Sequence, residues 1–185
     1  MIRTKKFLQT AAGVFVLVLV AGIVKKVGCG PRVPDGKLRG KVSFVYDGDT
    51  IQVSGVGKVR LLGVDALDSR NQSKIREQAR NLGMERGQVV GWARKAESFA
   101  RGKLAGRIVK LEMGREKRGD YGRLLAYVHF DGKSGKINFN RLLLQRGFAT
   151  AYCAFDYRLK NEFLRTEKEA RRRNRGLWGD ATSTW

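Results

Sequence analysis

The stretch GKVSFVYDGDTIQVSGVGKVRLLGVDA, residues 40–66, decides the fold. Apolar and polar residues alternate along it, which is the period of a strand with one buried face. The alternation breaks at Asp47-Gly48 and at Ser54-Gly55, and such pairs are strong turn signals between strands. We therefore predict an antiparallel meander of three short strands. The first turn also places Asp47 and Asp49 close together, so it is either a plain turn or a turn that contributes to a metal site.

The pattern changes after the meander. From 72 to 104 apolar residues recur at helical spacing, as at Ile75, Ala79 and Leu82, which predicts one or two amphipathic helices. The later elements are predicted as strands at 107–113 and 123–130, a helix from Asn138 to Arg146 that Gly147 stops, and a charged helix at 156–175. This order predicts an α+β fold, a five-stranded, partly open OB-fold β-barrel with about three helices packed on it.

The composition points to a polyanionic partner. The chain has 185 residues and a formal net charge of +21, from 38 Lys and Arg against 17 Asp and Glu. Such a charge favours binding to nucleic acid or to an anionic membrane surface, and it does not separate the two. Two cysteines and one histidine exclude a disulfide framework and a paired-histidine metal site. We expect Cys153 to be a small buried residue and His129 to be structural.

The N-terminal segment is predicted to be a membrane element rather than part of the fold. Residues 1–6, MIRTKK, are basic, and residues 7–24 carry no charge and nearly suffice to span a bilayer as a helix. Residues 1–26 are therefore a signal anchor or a signal peptide. A linker at 27–36 holds both prolines, and the globular domain follows at 37–180. An uncleaved anchor would hold the domain outside the cytoplasm, and cleavage would make it a secreted protein.

Charged residues near the predicted strands indicate where chemistry could occur. Arg60 is the only charge inside the apolar run VRLLGV, and a buried guanidinium needs an anionic partner. Arg123 begins the later apolar strand RLLAYVHF. Aspartates stand at strand ends or turns, namely Asp47, Asp49, Asp65 and Asp68. Carboxylates that hold a hard cation and arginines that bind phosphate are what phosphodiester cleavage requires. Each residue also has a simpler interpretation, as a turn residue, a core ion-pair partner or a solvated residue.

The order of these residues resembles the staphylococcal nuclease (thermonuclease) family. The similarity covers about residues 38–180, and it is carried by the segments VYDGDTIQV, VRLLGVDALD, YGRLLAYV, QRGFATAY and RNRGLW. The resemblance implies an OB-fold nuclease that uses calcium to hydrolyse DNA and RNA, cuts the bond to the 5′ oxygen and leaves 3′-phosphate ends.

The resemblance also implies a metal site. Asp49, Asp65 and the backbone carbonyl of Ala66 fall on metal-ligand positions, and Asp47 falls on the acidic residue that supports them. The family motif Val-Asp-Thr-Pro-Glu is VDALD in this chain. Asp68 therefore stands where the family has the glutamate that positions or deprotonates the attacking water. Aspartate is one methylene shorter, so this role depends on an adjustment of the loop.

The substrate site implied by the resemblance consists of two arginines and two tyrosines. Arg60 and Arg123 match the phosphate-binding arginines, which makes them catalytic candidates. Tyr121 and Tyr152 match tyrosines that line the nucleotide pocket, and Tyr152 also has an interpretation as a core aromatic. The lysine that precedes the first pocket tyrosine in the staphylococcal enzyme is replaced by Asp120, and a further pocket tyrosine is replaced by Ala154.

Three functions remain open on the sequence alone. The one we favour is a monomeric, membrane-tethered, calcium-dependent nuclease, because both arginines and both metal-site aspartates are retained. The second is a catalytically weak or inactive OB-fold module that holds single-stranded nucleic acid near a membrane, and the third is a basic domain that lies on anionic lipid. The segment 69–91 is longer than in the staphylococcal enzyme, and it either covers the site or forms an extra surface helix.

Overall fold

The computed structural model describes residues 38–118, 122–133 and 135–180. The predicted membrane segment and linker lie outside the described residues. The strands are β1 (Leu38–Val45), β2 (Thr50–Val53), β3 (Gly57–Leu61), β4 (Val64–Asp65), β5 (Ile108–Arg118), β6 (Leu124–Gly132), β7 (Gly135–Asn138) and β8 (Thr150–Ala151). The helices are α1 (Gln72–Leu82), α2 (Arg86–Leu104), α3 (Phe139–Gln145), α4 (Lys160–Arg172) and α5 (Leu177–Asp180).

Five of the strands form a closed barrel. The predicted meander is confirmed, because β1 pairs antiparallel with β2, and β2 with β3. Strand β5 pairs antiparallel with both β1 and β6, and β3 then pairs in parallel with β6. This last pairing sets Arg60 opposite Leu125 and closes the sheet. The expected five-stranded barrel is therefore present, but the expectation that it is partly open was wrong, since alternation within one strand does not reveal a parallel partner more than sixty residues away.

The barrel interior and the helix surface that covers it are apolar. Each barrel strand turns branched aliphatic side chains inward, which is the pattern that predicted the strands. The largest fully buried side chains include Tyr127, Phe139, Phe163, Ile51, Leu61 and Leu143. Asn140 is also fully buried, and its side chain accepts from the Val128 N–H and donates to the carbonyls of Leu62 and Ala126. These bonds satisfy its polar groups and attach α3 to the barrel near the turn that follows β3.

Helices α1 and α2 form a helical pair with a small core of its own. Asn71 caps α1 through its side-chain oxygen, and Gly83 ends the helix in the left-handed conformation at φ 63°. Ile75 and Ala79 of α1 pack with residues of α2, with Leu67 of the preceding loop and with Trp178 of α5. The prediction of one or two amphipathic helices is confirmed with two, and this packing attaches the 69–91 segment to the rest of the fold.

The secondary-structure elements differ from the prediction in three ways. The short strands β4, β7 and β8 were not predicted, and the described residues contain five helices rather than about three. The charged helix begins at Lys160 instead of 156, because Tyr157 donates its hydroxyl to the Gly63 carbonyl and the Leu159 N–H donates to the Tyr127 hydroxyl. These contacts hold the preceding segment as a loop. Among the described residues, no helix is both long enough and apolar enough to cross a membrane.

Cys153 lies in this same loop and is exposed. The prediction that it is a small buried residue was wrong. The apolar run that suggested burial ends at Ala151 of β8, and the chain then leaves the sheet. His129 is mostly buried on β6 beside Glu112 and is not among the residues that line the cavities described below, which agrees with a structural role.

Candidate active site

The turn between β1 and β2 brings two aspartates to one end of the barrel. The Tyr46 N–H donates to the Thr50 carbonyl and closes the turn. A Cβ atom at Gly48 would lie 2.8 Å from the Cβ atoms of Ala66 and Ala96, so only glycine allows the turn to approach the loop after β4 and helix α2 this closely. The turn interpretation of YDGDT is therefore correct, and the turn also presents carboxylates.

The Asp49 carboxylate is buried and surrounded by donors. Its Oδ2 accepts from the Ala66 N–H at 2.6 Å, and its Oδ1 accepts from the Thr50 hydroxyl at 3.1 Å. Asp47 lies beside it and accepts from the Asp49 N–H at 3.0 Å. Burial, and then the negative charge of Asp49, raise the pKa of Asp47 to about 6. Both effects oppose the ionisation of Asp47, and the second arises because two carboxylates lie side by side at this end of the barrel.

Arg60 lies between two of the predicted site aspartates. It stands on β3 opposite Thr50 of β2, and its guanidinium forms ion pairs with Asp49 and with Asp65, the latter at 2.6 Å between Nη2 and Oδ1. Burial by itself would lower the pKa of Arg60, but attraction to Asp49 and Asp65 outweighs it and raises the pKa above its ordinary value. The prediction that this buried guanidinium has an anionic partner is confirmed.

The loop at 66–68 follows β4 and carries the next predicted residues. Asp65 ends β4 in a pairing with Thr150 of β8, and the loop then turns so that the side chain of Leu67 is buried among α1 and α2. Asp68 is half-buried, and its Oδ1 accepts from the backbone N–H groups of Arg70 and Asn71, each at 2.8 Å. One oxygen of this carboxylate thus stabilises the turn into α1, which the sequence did not indicate.

A single cavity of about 130 Å³ brings the predicted metal and phosphate residues together. Among its lining residues are Asp47, Asp49, Arg60, Asp65, Ala66, Asp68 and Arg123. Arg123 immediately precedes β6, next to β3, so the parallel pairing that closes the barrel is what brings the two arginines to one place. The predicted metal and phosphate residues, which span 77 positions of the chain, thus line the same cavity.

The residues of this cavity fit a hard cation by their donor chemistry. Within residues 38–118, 122–133 and 135–180, no three acidic, histidine or cysteine side chains are grouped as a metal site built from side chains alone would require. The predicted donor set is different, because it combines the carboxylates of Asp49 and Asp65 with the Ala66 carbonyl. Oxygen donors of these kinds suit Ca²⁺, and the Arg60 guanidinium between the carboxylates demonstrates that a positive charge is accommodated there.

A second cavity, of about 280 Å³, adjoins the first and shares Arg60, Asp65, Lys74 and Arg123 with it. Tyr152 lines this second cavity, half-buried, with its ring centroid 5.2 Å from that of Phe155. Tyr152 therefore lines a cavity rather than being a core aromatic. Tyr121 and Asp120 lie outside the described residues.

Several residues that line the two cavities were not found from the sequence, and three of them carry polar or aromatic groups of interest. Lys74 and Gln78, one helical turn apart on α1, line the first cavity, and Phe155 lines the second. The spacing of Lys74 and Gln78 is a signal, because it places both on one side of the predicted helix. It did not indicate that this side faces the aspartates.

Comparison with known proteins identifies the family of the chain. The family described as "Staphylococcal nuclease homologue" matches residues 58–180, about two thirds of the chain. The chain belongs to the staphylococcal nuclease homologue family. The matched range of this family includes Arg60, Asp65, Ala66, Asp68 and Arg123, whereas the turn with Asp47 and Asp49 precedes it.

Individual relatives extend the family similarity over more of the chain. The chain is 33% identical over 152 residues to a micrococcal nuclease of Shigella flexneri, which covers 77% of this chain and 74% of the relative. It is 32% identical over 178 residues to a thermonuclease of Staphylococcus intermedius, with 88% and 95% covered. An uncharacterized protein of Methanocaldococcus jannaschii is 37% identical over 147 residues, with 75% and 70% covered.

Proposed function

We propose that the chain is a calcium-dependent nuclease that hydrolyses phosphodiester bonds of DNA and RNA. The observation that carries the proposal is the single cavity that is lined by Asp49, Asp65 and Ala66 together with Arg60 and Arg123. Membership in a family whose relatives include a thermonuclease and a micrococcal nuclease supports it. The net charge of +21 supports a polyanionic substrate.

The residues of the cavity divide into a cation site and a phosphate site. Asp49, Asp65 and the Ala66 carbonyl would hold calcium, with Asp47 adding negative charge beside them. When bound, the ion would neutralise charge on the phosphate. Metal ligands are oriented by hydrogen bonds from neighbouring groups, and the hydrogen bond from the Ala66 N–H to Asp49 is one of this kind.

The arginines act on the phosphate and Asp68 on water. Arg60 and Arg123 would donate hydrogen bonds to the non-bridging oxygens and stabilise the extra negative charge of the pentacovalent transition state. Asp68 would orient the attacking water through the carboxylate oxygen Oδ2, since Oδ1 accepts two backbone N–H groups. The water oxygen bonds to phosphorus as the bond to the 5′ oxygen breaks. Tyr152, in the adjoining cavity, would contact the nucleotide.

One observation favours the alternative of a catalytically weak or inactive binding module. The Asp68 carboxylate is shorter than glutamate by one methylene, and one of its oxygens is engaged by the loop backbone. A module of this kind would bind single-stranded nucleic acid in the second cavity, through Arg60, Lys74 and Arg123 and the aromatic pair Tyr152 and Phe155, without cleaving it.

Digestion of defined substrates tests the proposal. The full chain, purified in detergent, is incubated with single-stranded DNA, double-stranded DNA and RNA in calcium, in magnesium and in chelator. Asp49→Asn is the test variant, and Asp131→Asn, at an exposed position of β6, is the matched control. We expect cleavage that requires calcium, is lost in Asp49→Asn and is kept in Asp131→Asn. Tight binding without cleavage under every condition would favour the binding module.

We also propose that residues 1–26 tether a monomeric domain, residues 37–180, outside the cytoplasm. The basic start and the uncharged run at 7–24 support a membrane tether. The extracytoplasmic side is proposed because calcium, which the proposed site would need, is plentiful there. Protease treatment of intact and permeabilised cells measures the side of the membrane on which the domain lies, and the mass of the mature chain reports whether the segment is cleaved. Protection of the domain in intact cells would contradict the proposed orientation, and a released, shortened chain would mean secretion.

A further inference from the structure

Gln78 of α1 holds both ends of the loop at 66–68 with one side-chain amide. Its Oε1 accepts from the Asp68 N–H at 2.9 Å, and its Nε2 donates to the Ala66 carbonyl oxygen at 3.5 Å. The amide thus engages the carbonyl of one residue and the N–H of the residue two positions later. A neighbouring parallel strand makes this same pairing with alternate residues. Gln78 therefore bonds to the loop backbone as a parallel strand would, just beyond the end of β4 at Asp65.

The helix that carries Gln78 is fixed in place. Ile75 and Ala79, on either side of it, are buried in the core that α1 shares with α2. Leu67, at the centre of the loop, is buried in this same core. Helix and loop are therefore packed together, and the half-buried Gln78 side chain is held at both of its polar ends.

The loop held by Gln78 carries two groups of the proposed chemistry. The Ala66 carbonyl is a proposed cation ligand, and Asp68 is the proposed water-positioning acid. A neutral amide can orient the carbonyl without adding a positive charge that would compete with the cation, which a lysine or an arginine at this position would do. Outer hydrogen bonds of this kind orient ligands, and their loss lowers metal affinity or activity about 10- to 100-fold.

We propose that Gln78 is a positioning residue of the active site, whose amide fixes the Ala66 carbonyl and the Asp68 backbone in the arrangement that calcium binding and hydrolysis require. We call this pair of hydrogen bonds the Gln78 clamp. The catalytic consequence rests on the proposed function, whereas the clamp itself is a property of the folded chain and can be tested without metal.

The test compares three variants of the full chain. Gln78→Met keeps the length of the side chain and removes both hydrogen bonds, and Gln78→Glu keeps the acceptor for the Asp68 N–H but replaces the donor to Ala66 with an oxygen. Gln72→Met makes the same Gln-to-Met substitution at an exposed position of the same helix, outside both cavities, and is the matched control. For each we would measure hydrogen exchange at the Asp68 amide without metal, calcium affinity by calorimetry, and kcat and KM on an oligonucleotide.

We expect Gln78→Met to exchange its Asp68 amide proton about tenfold faster, as loss of one hydrogen bond predicts. Its calcium affinity and kcat should fall about 10- to 100-fold, with KM nearly unchanged at saturating calcium. Gln78→Glu should keep wild-type exchange at Asp68 and lose kcat. Gln72→Met should match the wild type in every measurement.

Two results would overturn the proposal. If exchange at Asp68 is the same in Gln78→Met as in the wild type, the clamp does not exist in solution. If exchange accelerates while calcium affinity and kcat stay unchanged, the clamp is structural and does not position the site. A wild-type chain that neither binds calcium nor cleaves would refute the proposed function, and the exchange measurement would still decide on the clamp. If Gln78→Met does not fold, the kcat of Gln78→Glu provides the test instead.

Discussion

Arg60 combines two roles that oppose each other. Its guanidinium pairs with Asp49 and Asp65, the carboxylates proposed to hold calcium, and it is also a proposed phosphate ligand. In the metal-free protein its positive charge reduces the repulsion between the two carboxylates. Because like charges repel, the same charge weakens cation binding between them. The residue therefore links the affinity for calcium to the stabilisation of the phosphate.

This link predicts that one substitution at Arg60 lowers kcat and raises the affinity for calcium. In Arg60→Gln we expect kcat to fall about 100-fold or more, as for the loss of a transition-state donor, while calcium binds more tightly and the metal-free protein melts at a lower temperature. Calorimetric titration, single-turnover cleavage and thermal unfolding measure the three effects. Arg141→Gln, which removes an exposed arginine paired with Glu162, is the control. Weaker calcium binding in Arg60→Gln would mean instead that the guanidinium is needed to place the carboxylates.

At the scale of secondary-structure elements, local sequence signals predicted individual strands and helices well. They did not reveal the pairings between distant parts of the chain. Alternation and turn residues predicted β1 to β3, and Asn138 and Gly147 bracketed α3, because these signals act within a few residues. The two-residue strands β4 and β8 exist only through their pairing with each other, and the parallel contact of β3 with β6 joins distant parts of the chain. The family resemblance supplied site residues that periodicity could not, whereas the second hydrogen-bonding role of Asp68 required the structure.

Helix α1 packs on the fold with one face and lines the cavities with another, and the cavity-lining face leads to a prediction. Its apolar face packs on α2, and the side that carries Lys74 and Gln78 lines the site. Lys74 is exposed and lines both cavities together with Arg60 and Arg123, so we expect it to contact the phosphate as a third cation. We expect Lys74→Gln to raise KM about tenfold with little change in kcat, the loss of one charged hydrogen bond. Steady-state cleavage at fixed ionic strength measures this.

The control for Lys74 removes the same charge elsewhere. Lys168→Gln, at an exposed position of α4 away from both cavities, lowers the net charge by the same amount. If both variants raise KM equally, the effect is a general loss of positive charge. If neither does, Lys74 makes no contact with the bound strand.

At the scale of the whole molecule, the one histidine of the chain reports on the stability of the barrel. His129 is on β6, where it is paired with Lys110 of β5 and Asn138 of β7, and its side chain is 11% exposed. Burial, followed by the positive charge of Lys136, lowers the pKa of His129 below the ordinary 6.5. Glu112 opposes this shift and Arg158 adds to it, but burial dominates.

The sign of this shift fixes how the stability of the fold changes with pH. Because the folded state binds the proton less tightly than the unfolded state, the contribution of His129 is present above the unfolded pKa of 6.5 and is lost as the pH falls through the lower, folded value. Between pH 7 and pH 5 we therefore expect the free energy of unfolding in urea to decrease more for the wild type than for His129→Gln, which keeps a donor for Glu112 but does not titrate. The carboxylates that also titrate in acid are common to both proteins, so the difference isolates the imidazole. The ring signals of a single histidine need no assignment by NMR. A titration midpoint above 6.5 would mean that the pair with Glu112 outweighs burial, and equal losses of stability in the two proteins would mean that the two effects cancel.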